Sequence, residues 1–305
     1  MLFRRFASLV ALLVGVTSTV AFQPVSISPS TYHSSSHSQI LVHKRNVQKK
    51  ATQENGSSLS AVTPSDQLSD FPSQELDVAA LGKYALAVGT QMGIFFALFS
   101  GVDYAVQLAD IQIPFAVNCV LFWFVALKSR VLNPLNNTRP KTGNLETQDS
   151  SEKRNMPTWT PPGFIFPIMW ILIIGPIRAA TTAMVYDVTH SYANIAILSL
   201  MLHLSIGDVW NTINNVERRY GASVIGVLLV WLSNAHAAYQ YYQVSPMAGK
   251  LLCLPLIWLT VASTLIIRTW QLNPDSQTGE PYPLYPVKGQ GKTEFKWFSK
   301  TVAEQ

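Results

Sequence analysis

Charge is scarce in this 305-residue chain: Asp, Glu, Lys and Arg make up 13% of it, against 48% for hydrophobic residues. That is about half the charged share of an ordinary soluble domain, so a fully solvated surface is excluded and the charges must gather in loops. Cysteine is scarcer still, at two. Cys119 and Cys253 each lie inside an apolar run, which makes core packing the expectation and excludes a disulfide framework or a thiolate metal site. There is no Gly-rich phosphate loop, no metal-spaced His/Cys set and no nucleophile beside a recognisable base. Ordinary hydrolytic and phosphoryl-transfer enzymes are thereby set aside. Nor does the net charge of +5 point to nucleic acid. Met1 to Val62 hold six of the 22 bases and one of the 17 acids, and the remainder carries sixteen of each.

What is present begins with an address. Arg4 and Arg5 precede a short apolar run, Leu9 to Val16, and the small residues Thr19 and Ala21, so residues 1–21 read as a signal peptide. The run is too short for a membrane span. Residues 22–62 are Ser-rich, carry Lys44, Arg45, Lys49 and Lys50, and meet their one acid at Glu54, as a transit peptide does. The junction Val20-Ala21-Phe22-Gln23-Pro24 resembles the Phe-centred cleavage motif of algae with complex plastids. Two signals in series imply a plastid membrane reached through the secretory route, with an endomembrane or mitochondrial membrane as the alternatives.

Residues 63–133 read as a polar linker followed by two spans, 134–158 as a polar turn-rich loop, 159–273 as the main membrane core and 274–305 as a flexible tail. Six apolar spans are expected in all: Ala79 to Val102, Ile111 to Leu127, Phe164 to Val185, Ala193 to Ile213, Ala222 to Tyr242 and Gly249 to Trp270. The second is short and interrupted by Pro114 and Asn118. Bases concentrate in alternate loops, at Lys128 to Arg154, at Arg218 and Arg219, and at Lys288 to Lys300, while Asp103, Asp110 and Asp187 occupy the others. This alternation predicts both termini on one side. The fold class is an all-α integral membrane helix bundle.

Function must then come from aromatic and polar groups at membrane depth. The segment Trp159 to Trp170, WTPPGFIFPIMW, opens the third span. Pro161 and Pro162 lack N–H groups and push Thr160 toward an extended conformation, so the chain turns there and lays aromatics over the bundle mouth. On the fourth span His203, Gly207, Trp210, Asn211 and Asn214 share one face. Trp231, Asn234 and Ala238 form a similar face on the fifth span, and Trp258, Ala262 and Leu265 on the sixth. Large rings beside small residues suit a planar guest. Trp123, Tyr239, Tyr241, Tyr242 and Trp270 fit an interfacial belt. Asp208 is costly at such depth unless paired, and Arg178 is within reach of it. His203 and His236 invite either an axial-ligand role for haem or ordinary satisfied interior positions.

Taken together, these residues resemble the TspO/MBR (translocator protein, tryptophan-rich sensory protein) family. The resemblance runs over Pro157 to Asn273 and rests on the WxPP turn with Phe166, Pro167 and Trp170; on Trp210; on Trp231-Leu232 and Val244-Ser245-Pro246-Met247-Ala248; and on Pro255, Trp258, Ala262, Leu265, Trp270, Leu272 and Asn273. It implies a five-helix core, here the second to sixth spans, with the first span an addition. It also implies a pocket for porphyrins, or in some members sterols or drugs, covered by the loop that carries Trp159. Phe166, Trp170, Trp210 and Trp258 become candidates for its wall, with Arg178 and His203 as polar ligand-binding groups. The chain departs from the pattern at Gly207, Ile266 and Ile174, where amides and a phenol are expected, and at Arg178, where a small residue is expected. Two amides and a phenol are gone and a cation has arrived, as would suit a ligand that is more acidic or simply different.

The expectation is therefore a membrane protein that binds, and translocates or senses, a tetrapyrrole such as porphyrin or haem, or a sterol-like molecule. No cofactor is required. Membrane lipid and a second copy of the chain are expected partners, and nucleic acid is not. A porphyrin-degrading enzyme and an assembly protein of a plastid membrane are the competing readings.

Overall fold

The computed structural model describes residues 74–137, 154–276 and 278–296, all within one compact unit. The signal and transit segments lie outside the described residues. Helix α1 covers Val78–Ala109, α2 Phe115–Lys128, α3 Ile165–Thr189, α4 Ile195–Asn215, α5 Tyr220–Val244 and α6 Pro246–Leu272. All but α2 are long and apolar enough to cross a membrane.

Local chemistry sets the ends. Asp77 caps α1 by accepting from the Ala80 N–H at 2.9 Å, and Asp110 ends the helix in the left-handed region at φ 48°. Asn194 caps α4 through the Ile197 N–H at 2.9 Å. In α6 the helical runs Pro246–Leu252 and Pro255–Leu272 are separated by a short turn. Pro255 has no N–H for the carbonyl of Leu251, which takes the Leu254 N–H instead at 3.1 Å, so the helix bends there.

The buried side chains of α1 are Ala80, Tyr84, Ala87, Gln91, Phe95 and Phe99, a stripe at helical spacing. Its remaining faces expose Leu86, Phe96, Leu98 and Leu108, as a helix against lipid should. Phe95, Phe99, Phe122, Tyr186 and Tyr192 belong to the main core, which α3, α4 and α5 complete.

Hydrogen bonds fix the direction of each pass. At one end the Asp77 N–H donates to Pro286, the Asn136 N–H to Glu294 and the Asn155 N–H to the Asn273 side chain, at 2.8–2.9 Å. The start of α1, the end of α2, the start of α3 and the end of α6 therefore share that end with the basic loops. At the opposite end Asp103 of α1 accepts from Ser191 Oγ and from the Tyr192 and Ala193 N–H groups at 2.7–2.9 Å, holding the α3–α4 turn. The chain thus runs back and forth six times, although one return is made by α2, whose 14 residues reach only about 21 Å. The second expected span is this short helix, extended by the 3₁₀ turn Ser129–Val131.

Residues 278–296 do not stand free in solvent as a flexible tail would. They pair with Leu76 and Leu135 in isolated β-bridges through Val287 and Phe295. At their centre the buried Arg219 guanidinium meets Asp77 at 2.8 Å and Glu217 at 3.0 Å and donates to the carbonyls of Val287 and Gly291. Tyr84 adds a hydrogen bond to Glu217. The segment before α1, the α4–α5 turn and the tail are thus joined by one cation.

Two outcomes follow from this clasp. A Cβ added at Gly221 would lie 1.9 Å from the Pro283 carbonyl oxygen, backbone that cannot step aside. Gly221→Ala should cost about 1–3 kcal/mol of stability in detergent unfolding and open residues 278–296 to protease, whereas Gly207→Ala, where the space is open, should do neither. Burial pushes the Asp77 carboxyl up, but the Arg219 hydrogen bond, the Ala80 N–H and the charges of Arg219 and Lys83 outweigh it and hold its pKa below the ordinary 3.8. Its contribution is complete above pH 3.8 and is lost as pH falls through the lower folded value. Glu217, pushed up chiefly by burial, titrates with the opposite sign. Hydrogen exchange in residues 282–295 should accelerate in acid, and Asp77→Asn should be fast already at neutral pH and lose that acid dependence.

Candidate functional site

The proline turn forms as the sequence requires: Thr160 N–H returns to the Pro157 carbonyl at 3.0 Å and Ile165 N–H to Pro162 at 2.9 Å. Trp159 stands on this turn with 48% of its surface exposed. α3 then opens with a departure from α geometry, a π-helical run at Ile168–Ile174 bounded by Pro167 and Gly175-Pro176. In a π register the carbonyl of Ile171 would bond the N–H five residues on, which Pro176 lacks. Trp123 of α2 supplies the missing donor, its indole N–H reaching Ile171 O at 3.2 Å. Trp123, expected in an interfacial belt, is instead what completes the wide turn.

Widening the helix at this point leaves Phe166, Trp170, Ile174 and Arg178, four apart, along one side of α3. Phe166 meets the Trp258 ring of α6 edge-on at 5.8 Å. The Arg178 guanidinium lies over the Trp170 ring, 5.5 Å from its centroid, within cation–π range. Arg178 is 7% exposed and sits one residue past the midpoint of α3. A charge there costs about 2.5–3.5 kcal/mol by insertion scales, so what surrounds it matters.

Its hydrogen-bond partner is His203 of α4, with Nη2 to Nε2 at 2.5 Å. A guanidinium only donates, so His203 Nε2 accepts and the ring is neutral with its proton on Nδ1. That N–H is directed to Ser233 Oγ at 3.0 Å and Val230 O at 3.1 Å on α5. Both ring nitrogens are thus engaged and the ring is 1% exposed, the satisfied interior alternative of the two roles foreseen. His236 is exposed on the outer side of α5.

The Arg178–Asp208 pair allowed by reach does not form. Asp208 accepts from Gln91 of α1 at 2.9 Å, and the same buried amide bonds Ser129 O at 2.9 Å and receives Asn133 Nδ2 at 2.8 Å. α1 thereby satisfies the acid and ties α4 to the end of α2. Three buried polar atoms in the long spans keep no partner: Arg178 Nε, Asn234 Oδ1 and Trp258 Nε1.

Trp210 stands apart from the other candidates. Its indole donates to Ser223 O at 3.1 Å, and it packs on Gly226, where a Cβ would come within 2.8 Å of the ring. Its other side lines an apolar cavity of about 390 Å³ between α1, α4, α5 and residues 284–286. Tyr241, read as interfacial, is fully buried and bonds Thr182 at 2.8 Å. The structure therefore joins Phe166 with Trp258 and Trp170 with Arg178, which meets His203, leaves Trp159 at the turn, and puts Trp210 on an apolar cavity that none of them lines.

These features define an integral membrane helix bundle with an aromatic stripe and a buried cation on its third helix. The TspO/MBR family model matches residues 134–271. It is similar to protein CrtK of Rhodobacter capsulatus, 26% identical over 39% of this chain and 74% of that one. It is also similar to the tryptophan-rich sensory protein of Cereibacter sphaeroides, 24% identical over 42% and 80%, and to the human translocator protein, 27% over 42% and 76%. Helices α1 and α2 lie before the matched residues.

Removing the Trp123 indole N–H takes away the donor that Ile171 O receives in place of the N–H Pro176 lacks. Trp123→Phe should lower stability by about 1–3 kcal/mol in thermal unfolding, and Trp231→Phe, whose partner Thr260 already bonds its own helix, should cost less.

Proposed function

We propose that this protein binds a flat, poorly water-soluble ligand of the tetrapyrrole type within the bilayer and passes or reports it across the membrane. The observation that carries the reading is the line of Phe166, Trp170 and Arg178 along one side of a helix opened by a π segment, with Trp258 of α6 set against Phe166. π segments inside helices concentrate at functional sites. Area burial at about 25 cal/mol per Å² supplies most of the affinity for a planar guest, and ring stacking adds modest terms. The names of the relatives, translocator and sensory protein, agree with such a role. Trp159, on the exposed proline turn, is the cover through which the guest enters. The N-terminal extension supports delivery to a membrane of a complex plastid.

Titration of the purified protein with protoporphyrin IX, followed by tryptophan quenching and Soret absorbance, tests this reading. Trp170→Ala should raise the Kd about tenfold, or about 1.4 kcal/mol, while Trp210→Ala should change it less than about twofold. Equal titrations for wild type and Trp170→Ala would reject the stripe as the site.

A further inference from the structure

We infer that Arg178 is the receptor for one carboxylate of the bound ligand, held at the middle of the membrane. The inference rests on the ligand reading above and adds the ligand's charge class.

An arginine cannot shed its proton at this depth, so its charge has to be met by surrounding groups. In the protein alone it is met poorly. Its one hydrogen-bond partner, His203, is neutral; its second neighbour is the face of Trp170; its Nε–H has no acceptor. Ion pairs form elsewhere, among Asp77, Glu217 and Arg219 and between Glu75 and Lys288 and between Lys292 and Glu294, and none of these includes Arg178. Asp208 acts on Arg178 through its charge, but forms no ion pair with it and is held by Gln91.

Removal of one partner from a buried pair normally leaves a costly lone charge. Here the missing partner is an anion, and the free Nε–H with the adjacent aromatic stripe indicates where it arrives. A planar molecule lying along Phe166 and Trp170 would bring an acidic edge group to the guanidinium, where a charge-assisted bond is about twice as strong as a neutral one. His203 is a positioning residue: fixed from behind by Ser233 and Val230, it holds one arm of the guanidinium, while Nε has no acceptor. A neutral sterol offers nothing to this group. The ligand class is a flat carboxylic acid.

The test compares protoporphyrin IX with its dimethyl ester, equal in plane and different in charge. Wild-type protein should bind the acid at least tenfold more tightly than the ester, and Arg178→Met should bring the two together, chiefly by weakening the acid. Arg178→Lys should retain part of the preference. Equal affinities in wild type would overturn the inference while leaving the ligand reading intact, and that ratio is read without any substitution. A preference that survives in Arg178→Met would also overturn it. Binding of neither compound would remove the ligand reading itself. Oleate, a carboxylate without the plane, should displace no protoporphyrin at tenfold excess; displacement would assign the carboxylate to a fatty acid and overturn the proposal of a flat acid.

Discussion

A cation fixed near the midpoint of a membrane helix has no water to turn to, and everything around Arg178 is arranged by that constraint. His203 must be neutral to accept from it, and Ser233 and Val230 of α5 keep the ring in the tautomer that can. Trp170 offers its ring face one side away. These contacts tie α3, α4 and α5 together at their centres, where lipid provides no hydrophobic drive for helix association and polar contacts set the register. The group that positions the helices is therefore the same one whose Nε–H has no acceptor.

A second cation does comparable work at the membrane's edge, by a different balance. Arg219 has two carboxylates and two carbonyls, so its charge is compensated within the fold. The contrast between Arg219 and Arg178 is informative. One is a structural tie joining the residues before α1 to the tail; the other is left short of partners beside an aromatic stripe. Helices α1 and α2, which precede the residues matched by the TspO/MBR model, brace that matched segment. Gln91 of α1 neutralises the problem of Asp208, and Trp123 of α2 completes the π turn of α3.

Apolar runs and the alternation of basic loops made the back-and-forth course of the chain legible, including the shared side of the start of α1 and the end of α6. The WxPP turn and its aromatics were legible because proline removes donors wherever it stands. Partner choice was not. Arg178 reaches either Asp208 or His203 by length alone, and only the rotation of α4 against α1 and α3 decides, a quantity no single-helix pattern contains. Trp123 and Tyr241 look interfacial by position, yet one answers the missing N–H of Pro176 and the other bonds Thr182 in the core. The tail misled for a related reason: its Pro-rich, mixed-charge composition reads as solvated, while its order comes from backbone bonds to segments some two hundred residues away. Trp210 shares a helical face with His203, but the π segment and the kink at Pro255 direct the rings of α3 and α6 toward each other and not toward it.

The central claim is that the bundle houses a flat acidic pigment-like ligand. It is tested most directly by the absorption spectrum of the full-length protein purified from its native membrane in mild detergent. The account predicts a Soret-type band that copurifies with the protein and is lost from Trp170→Ala material. Protein that carries no such absorbance and acquires none from added porphyrin would contradict it.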